Sequence, residues 1–205
     1  MTCTFLPAPL TPMDVRAMVE TKRAPVPDGF EYRTAAVMLG HLQLIRRFLE
    51  DTSASHGILC EDDVYLRKTI GQDVPAIVDE FDARRLDVLL LGYLWPWKDT
   101  YASGDAGARP YRFYEYDEQL WGTQMYMLSR RQASHLVRTY TLDDALARSS
   151  TQPFAADWII TKVGRRSRIY PMLAVEEGHV ETTHAGQIDF HRRCAEAQYD
   201  PDVYV

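Results

Sequence analysis

The chain has 205 residues, of which 46% are hydrophobic and 25% charged, a balance that supports a folded core and argues against overall disorder. Its net charge of -6 at pH 7 argues against a broad electrostatic grip on nucleic acid, so no nucleic-acid partner is expected. No apolar run reaches the length of a membrane span, and the most apolar stretch, residues 88–91, is strand-sized.

Three widely spaced cysteines, Cys3, Cys60 and Cys194, form no Cys-x-x-Cys zinc pattern, which suits a reducing compartment. The first residues lack the basic flank and long apolar stretch of a signal peptide. One domain over residues 1–205, in the cytoplasm, is the resulting expectation.

Taken in order, residues 1–32 are broken up by five prolines, leaving a short helix over 13–21 with Thr11-Pro12 as its cap and first-turn proline. No first strand is expected here. From 34 to 51, Val37, Leu44, Ile45, Phe48 and Leu49 share much of one helical face. Gly40 lies inside that helix, where its cost relative to alanine suggests a close backbone approach.

Residues 58–60 then read as a strand that ends in Glu61-Asp62-Asp63. Three adjacent carboxylates repel one another and need solvent, hydrogen-bond donors or a cation. At the exit of a buried strand they are suited to a hard divalent metal, which prefers oxygen ligands; a solvated acidic turn is the plainer alternative.

Val74, Ile77, Val78 and Phe81 follow at helical spacing, and residues 87–92 form an apolar run of the kind found in a central, doubly covered strand. The alternation of helix and strand suggests an α/β layered fold with mainly parallel pairing. Residues 93–116 read as a long irregular region. Within it, Trp95 and Trp97 either stack on a sugar or base face or simply cover the sheet.

Gly122 to Leu128 alternates as a strand, and Ser129 caps a helix that runs through Val137. Asp157 sits near a helix start, a common place for a capping or first-turn acid. Residues 168–175 read as a strand broken by Pro171 and hence placed near an edge or in a loop. The tail carries His179, His184 and His191 among polar residues.

The order of these pieces resembles the family 25 glycosyltransferases, which include bacterial lipooligosaccharide galactosyltransferases and procollagen galactosyltransferases. The resemblance is carried by Leu39-Gly40-His41-Leu42, by the strand from Gly57 ending in Glu61-Asp62-Asp63, by Leu86 to Gly92, and by the block from Gly122 to Ala133. Ala156-Asp157-Trp158 and Ile169-Tyr170-Pro171-Met172 are weaker matches. Gly40 stands where the family usually has a serine.

The resemblance implies a GT-A fold, that is, a nucleotide-diphospho-sugar transferase fold with a mixed, mainly parallel sheet flanked by helices. It implies a nucleotide-sugar donor, by family habit a UDP-sugar, and Mn2+ or Mg2+ as cofactor. Glu61, Asp62 and Asp63 would hold metal and donor, with Thr123 also on the donor side and His184 or His179 as a further metal ligand. Asp157 is implied as the base for a hydroxyl of a saccharide or glycoconjugate acceptor, in a transfer that inverts the anomeric centre. Two other classes remain open: a metal-dependent nucleotidyltransferase or phosphotransferase, and a glycosyltransferase-like domain that only binds or scaffolds.

Overall fold

A computed structural model describes residues 10–98, 111–148, 152–178 and 185–205. In chain order the elements are α1 (Pro12–Lys22), α2 (Tyr32–Asp51), β1 (His56–Cys60), β2 (Val64–Leu66), α3 (Ile70–Ala83), β3 (Val88–Leu94) and β4 (Arg112–Glu115). They continue with β5 (Trp121–Ser129), α4 (Arg130–Thr139), α5 (Leu142–Arg148), α6 (Ala156–Ile159), β6 (Arg166–Tyr170), β7 (Ala174–Glu176) and α7 (Ala185–Gln198). Two compact units share the chain: residues 1–57 with 129–160, and residues 58–128 with 161–205.

The first unit is helical, and α1, α4, α5 and α6 all pack on α2. Thr11 and Asp14 form a reciprocal capping box at α1, with Pro12 in the first turn, so the local chemistry sets that boundary. Ser129 caps α4 by accepting from the Gln132 backbone N–H.

The buried face of α2 includes Ala35, Ala36, Met38, Leu39, Leu42 and Ile45. Val37, expected on that face, is 49% exposed. The two alanines complete a stripe that a reading of large side chains alone rotates by about one position. Arg130 closes the other end of α2 by donating to the carbonyls of Leu49 at 2.6 Å and Thr52 at 2.9 Å, with its guanidinium over the Phe48 ring. A cation on unsatisfied carbonyls at a helix C-terminus is favoured by both hydrogen bonding and the helix dipole.

The second unit is built on a five-stranded sheet in the order β1-β5-β3-β6-β4. β3 pairs antiparallel with β5, β4 pairs antiparallel with β6, and β3–β6 is parallel. The sheet is therefore mixed and mostly antiparallel, not mainly parallel as the order of elements suggested. Alternation of helix and strand predicts parallel pairing only where each helix is a crossover. Here β4 and β5 follow β3 without an intervening helix among the described residues, and each pairs antiparallel with a neighbour.

β6 lies inside the sheet between β3 and β4, not at an edge; Pro171 falls just after its last residue and takes no ladder position. β4 lies within the stretch expected to be irregular, part of which is outside the described residues.

Ile77 and Phe81 of α3 pack on Leu89, Leu91, Met125, Met127 and Ile169 to form the core of this unit. β3 is buried along its whole length, as its unbroken apolar run predicts. A two-stranded pairing of β2 with β7 sets Val64 opposite Glu176 and Leu66 opposite Ala174. At Gly92 the β3–β5 register shifts, and the space that a side chain would need is filled by the Ala174 carbonyl. A Cβ on Gly92 would lie 2.7 Å from that oxygen.

Two glycines give opposite expectations. Gly92→Ala should destabilise the protein by about 1–3 kcal/mol, because backbone rather than a flexible side chain must move. Gly40, expected to mark a close approach, has open space around it: a Cβ added there would meet nothing within 4 Å. Gly40→Ala should therefore stabilise by about 0.5–1 kcal/mol through helix propensity alone. Thermal or urea unfolding of both variants reads the two signs directly.

Candidate functional site

Glu61 follows the last residue of β1, and its backbone N–H still donates to the Gln124 carbonyl of β5 at 2.9 Å. Its side chain is held too: Thr123 Oγ1 donates to Glu61 Oε1 at 2.8 Å. Asp62 is exposed and Asp63 half-buried. The Asp63 carbonyl accepts from the Glu177 N–H at 2.9 Å, which fastens the acidic turn to the end of β7. The structure thus sets Thr123 against Glu61, with Asp63 two residues further along the same turn.

It also brings three residues that the sequence did not mark for the site. Glu176 is only 7% exposed, and its two oxygens are both engaged. His191 Nδ1 lies 2.7 Å from Oε1 and 2.9 Å from Oε2, and Gln124 Nε2 donates to Oε2 at 3.1 Å. Gln124 itself is 4% exposed. No local pattern could have exposed Glu176 or Gln124, because each reads as an ordinary polar residue until β2–β7 pairing and β5 place them. His191 was legible as a residue type but not as a partner.

The electrostatics follow from this crowding. Burial, then the Glu61 and Glu176 carboxylates, push the Asp63 carboxyl up to about 6. Asp63 Oδ1 is buried without a hydrogen-bond donor, as is Gln124 Oε1. These two buried acceptors, set among the carboxylates of Glu61, Asp63 and Glu176, make an oxygen-rich setting short of positive charge. His191 is shifted upward by its hydrogen bond to Glu176; burial opposes this, and the charges of Glu176, Asp63 and Glu61 add to it. The fully buried Tyr126 phenol is pushed well above its usual range by burial first, then by Glu61 and Cys60.

Among the described residues no three His, Cys, Asp or Glu side chains converge as a ready-made metal cage. Mg2+-like cations commonly use one or two carboxylates together with substrate phosphates, keeping waters elsewhere. Asp63, with an orphaned buried oxygen, and Glu61 fit that kind of partial site. Glu176, with both oxygens taken, fits a supporting role.

His179 and His184, the expected further ligands, lie outside the described residues. Asp157 belongs to the helical unit, where it is the second residue of α6 while Ala155 holds the cap position. Trp95 and Trp97 meet edge to face at 4.9 Å; Trp95 also lies under the Arg168 guanidinium, whereas Trp97 is 59% exposed. Trp95 is thus a packing residue.

The chain matches no protein-family model and no curated protein. Among the described residues no helix is long and apolar enough to cross a membrane.

The raised Asp63 fixes the sign of a pH effect. The fold favours the protonated acid, so its contribution is complete below the ordinary value of 3.8 and is lost as pH rises through about 6. In chelator, stability should decline across that window. Asp63→Asn should flatten the decline and gain about 1 kcal/mol above it, a figure kept small because the group is partly solvated. Urea unfolding over this pH range checks it; equal slopes for wild type and variant would remove the argument.

Proposed function

We propose that this protein is a metal-dependent glycosyltransferase with a GT-A-type fold, moving a hexose from a nucleotide diphosphate sugar to a hydroxyl of a saccharide or glycoconjugate. The observation that carries the reading is the buried, unpartnered Asp63 oxygen beside Glu61 and Glu176 at the end of β1. The resemblance to family 25 glycosyltransferases puts the family's acidic motif at Glu61, Asp62 and Asp63.

Sugar transfer requires a diphosphate to leave with its negative charge compensated. A divalent cation, Mn2+ or Mg2+, supplies that compensation when bound. Asp63 and Glu61 would hold it from the protein side, and Asp62, exposed beside them, would reach its water shell. Thr123 keeps the Glu61 carboxylate in one orientation, which limits the reorganisation needed on donor binding. Gln124 and His191 hold Glu176 in the same way, so its charge contributes without swinging into the site.

Titration calorimetry with manganese and UDP, followed by UDP-galactose and UDP-glucose, tests the proposal. Wild type should bind the nucleotide only when the metal is present, and Asp63→Asn should weaken that binding at least about tenfold. A preference for a free nucleoside triphosphate over every sugar nucleotide would instead assign a nucleotidyltransferase. Absence of any metal-dependent heat would leave the scaffold reading.

A further inference from the structure

His191 and Glu176 form a carboxylate–imidazole pair whose geometry exceeds what a surface ion pair needs. The imidazole Nδ1 sits within 2.9 Å of both Glu176 oxygens. A carboxylate offers only acceptors, so Nδ1 carries the hydrogen and the neutral ring presents its lone pair at Nε2. Gln124 donates to the Glu176 carboxylate from β5, and the backbone of Glu176 is fixed by its pairing with Val64 on β2.

The helix that carries His191 is fixed on the same side. Cys194, three residues on, is buried, and Gln198, seven residues on, donates to the carbonyls of Trp95 and Trp97. Gly178, at φ 79°, lets the chain after β7 approach Ala195 so closely that a Cβ there would lie 2.7 Å from the alanine methyl. The imidazole is therefore held by a buried acid on a docked helix, an arrangement that suits a general-base histidine.

We infer that His191 is a catalytic residue whose Nε2 takes the proton of the acceptor hydroxyl, with Glu176 as its positioning residue. The inference rests on the glycosyltransferase reading and names the group that activates the acceptor. As the acceptor oxygen forms its bond to the anomeric carbon, its proton passes to Nε2. The bond from that carbon to the diphosphate oxygen breaks, and its electron pair leaves with the nucleoside diphosphate. The imidazolium then returns the proton to solvent.

The charged groups that act on the ring are Glu176 from β7, which accepts its hydrogen bond, and, from the turn after β1, Asp63 and Glu61. On its own helix Arg192 is taken up by Asp189 and Glu196. The resemblance points to Asp157 for the same proton, so two variants separate the assignments.

The test measures UDP-hexose turnover with manganese as a function of pH, alongside calorimetric nucleotide binding and thermal unfolding. His191→Gln should lower kcat about 100- to 1,000-fold, remove the acidic limb of the profile and leave nucleotide affinity within about twofold. Glu176→Gln should lower kcat about tenfold and move that limb to lower pH. Imidazole added to His191→Ala should restore part of the rate, which a purely structural clasp would not allow. Wild-type turnover in His191→Gln, or loss of the acidic limb in Asp157→Asn alone, overturns the inference while leaving the transferase reading intact. A wild type that neither binds nor turns over any sugar nucleotide overturns both.

Discussion

Holding Asp63 beside Glu61 and Glu176 is the constraint around which the sheet unit is arranged. Desolvation of its carboxyl, reinforced by the neighbouring charges of Glu61 and Glu176, pushes Asp63 up to about 6. Thr123 satisfies one Glu61 oxygen, and Gln124 and His191 satisfy Glu176. Asp63 Oδ1 alone among these carboxylate oxygens is buried with no donor. A fold selected only for stability would have an apolar or hydrogen-bonded group there, since an unsatisfied buried acceptor costs about 1–3 kcal/mol. The cost is localised at one atom, in the turn between β1 and β2.

Much of the framework was legible because its signals are local. The unbroken apolar run of β3 fixes a buried strand, Thr11-Pro12 and Ser129 fix two helix starts, and Ile77 with Phe81 fixes the inner face of α3. Strand direction was not legible. Whether β5 lies parallel or antiparallel to β3 depends on how the chain returns, and no residue within either strand encodes that. Pro171 suggests a strand near an edge or in a loop because proline cannot donate to a ladder, yet it falls one residue beyond β6 and takes no ladder position.

The candidate site divides along the same line. Glu61-Asp62-Asp63 stands out in the sequence because three like charges in a row are unusual beside a strand. Glu176, Gln124 and His191 do not stand out, since their meaning comes only from the β2–β7 pairing and from where α7 settles. Short elements such as β2 and β7, three residues each, carry too few positions for alternation to show.

α7 sharpens the point. A helix that docks on a sheet for stability ordinarily turns a stripe of leucine, isoleucine or valine inward. The buried residues of α7 are instead Cys194 and Gln198, with His191 partly buried on the same face and only Phe190, Ala195 and Ala197 as partly buried apolar neighbours. A stripe of that kind gains little from the hydrophobic effect and relies on directed hydrogen bonds, each worth only about 0.5–1.5 kcal/mol net. Helix packing of so little hydrophobic benefit is explained by what it positions: an imidazole at the acid cluster at one end and the Trp95–Trp97 carbonyls at the other. The failure of hydrophobic periodicity to reveal α7 and its reliance on directed hydrogen bonds have the same physical origin.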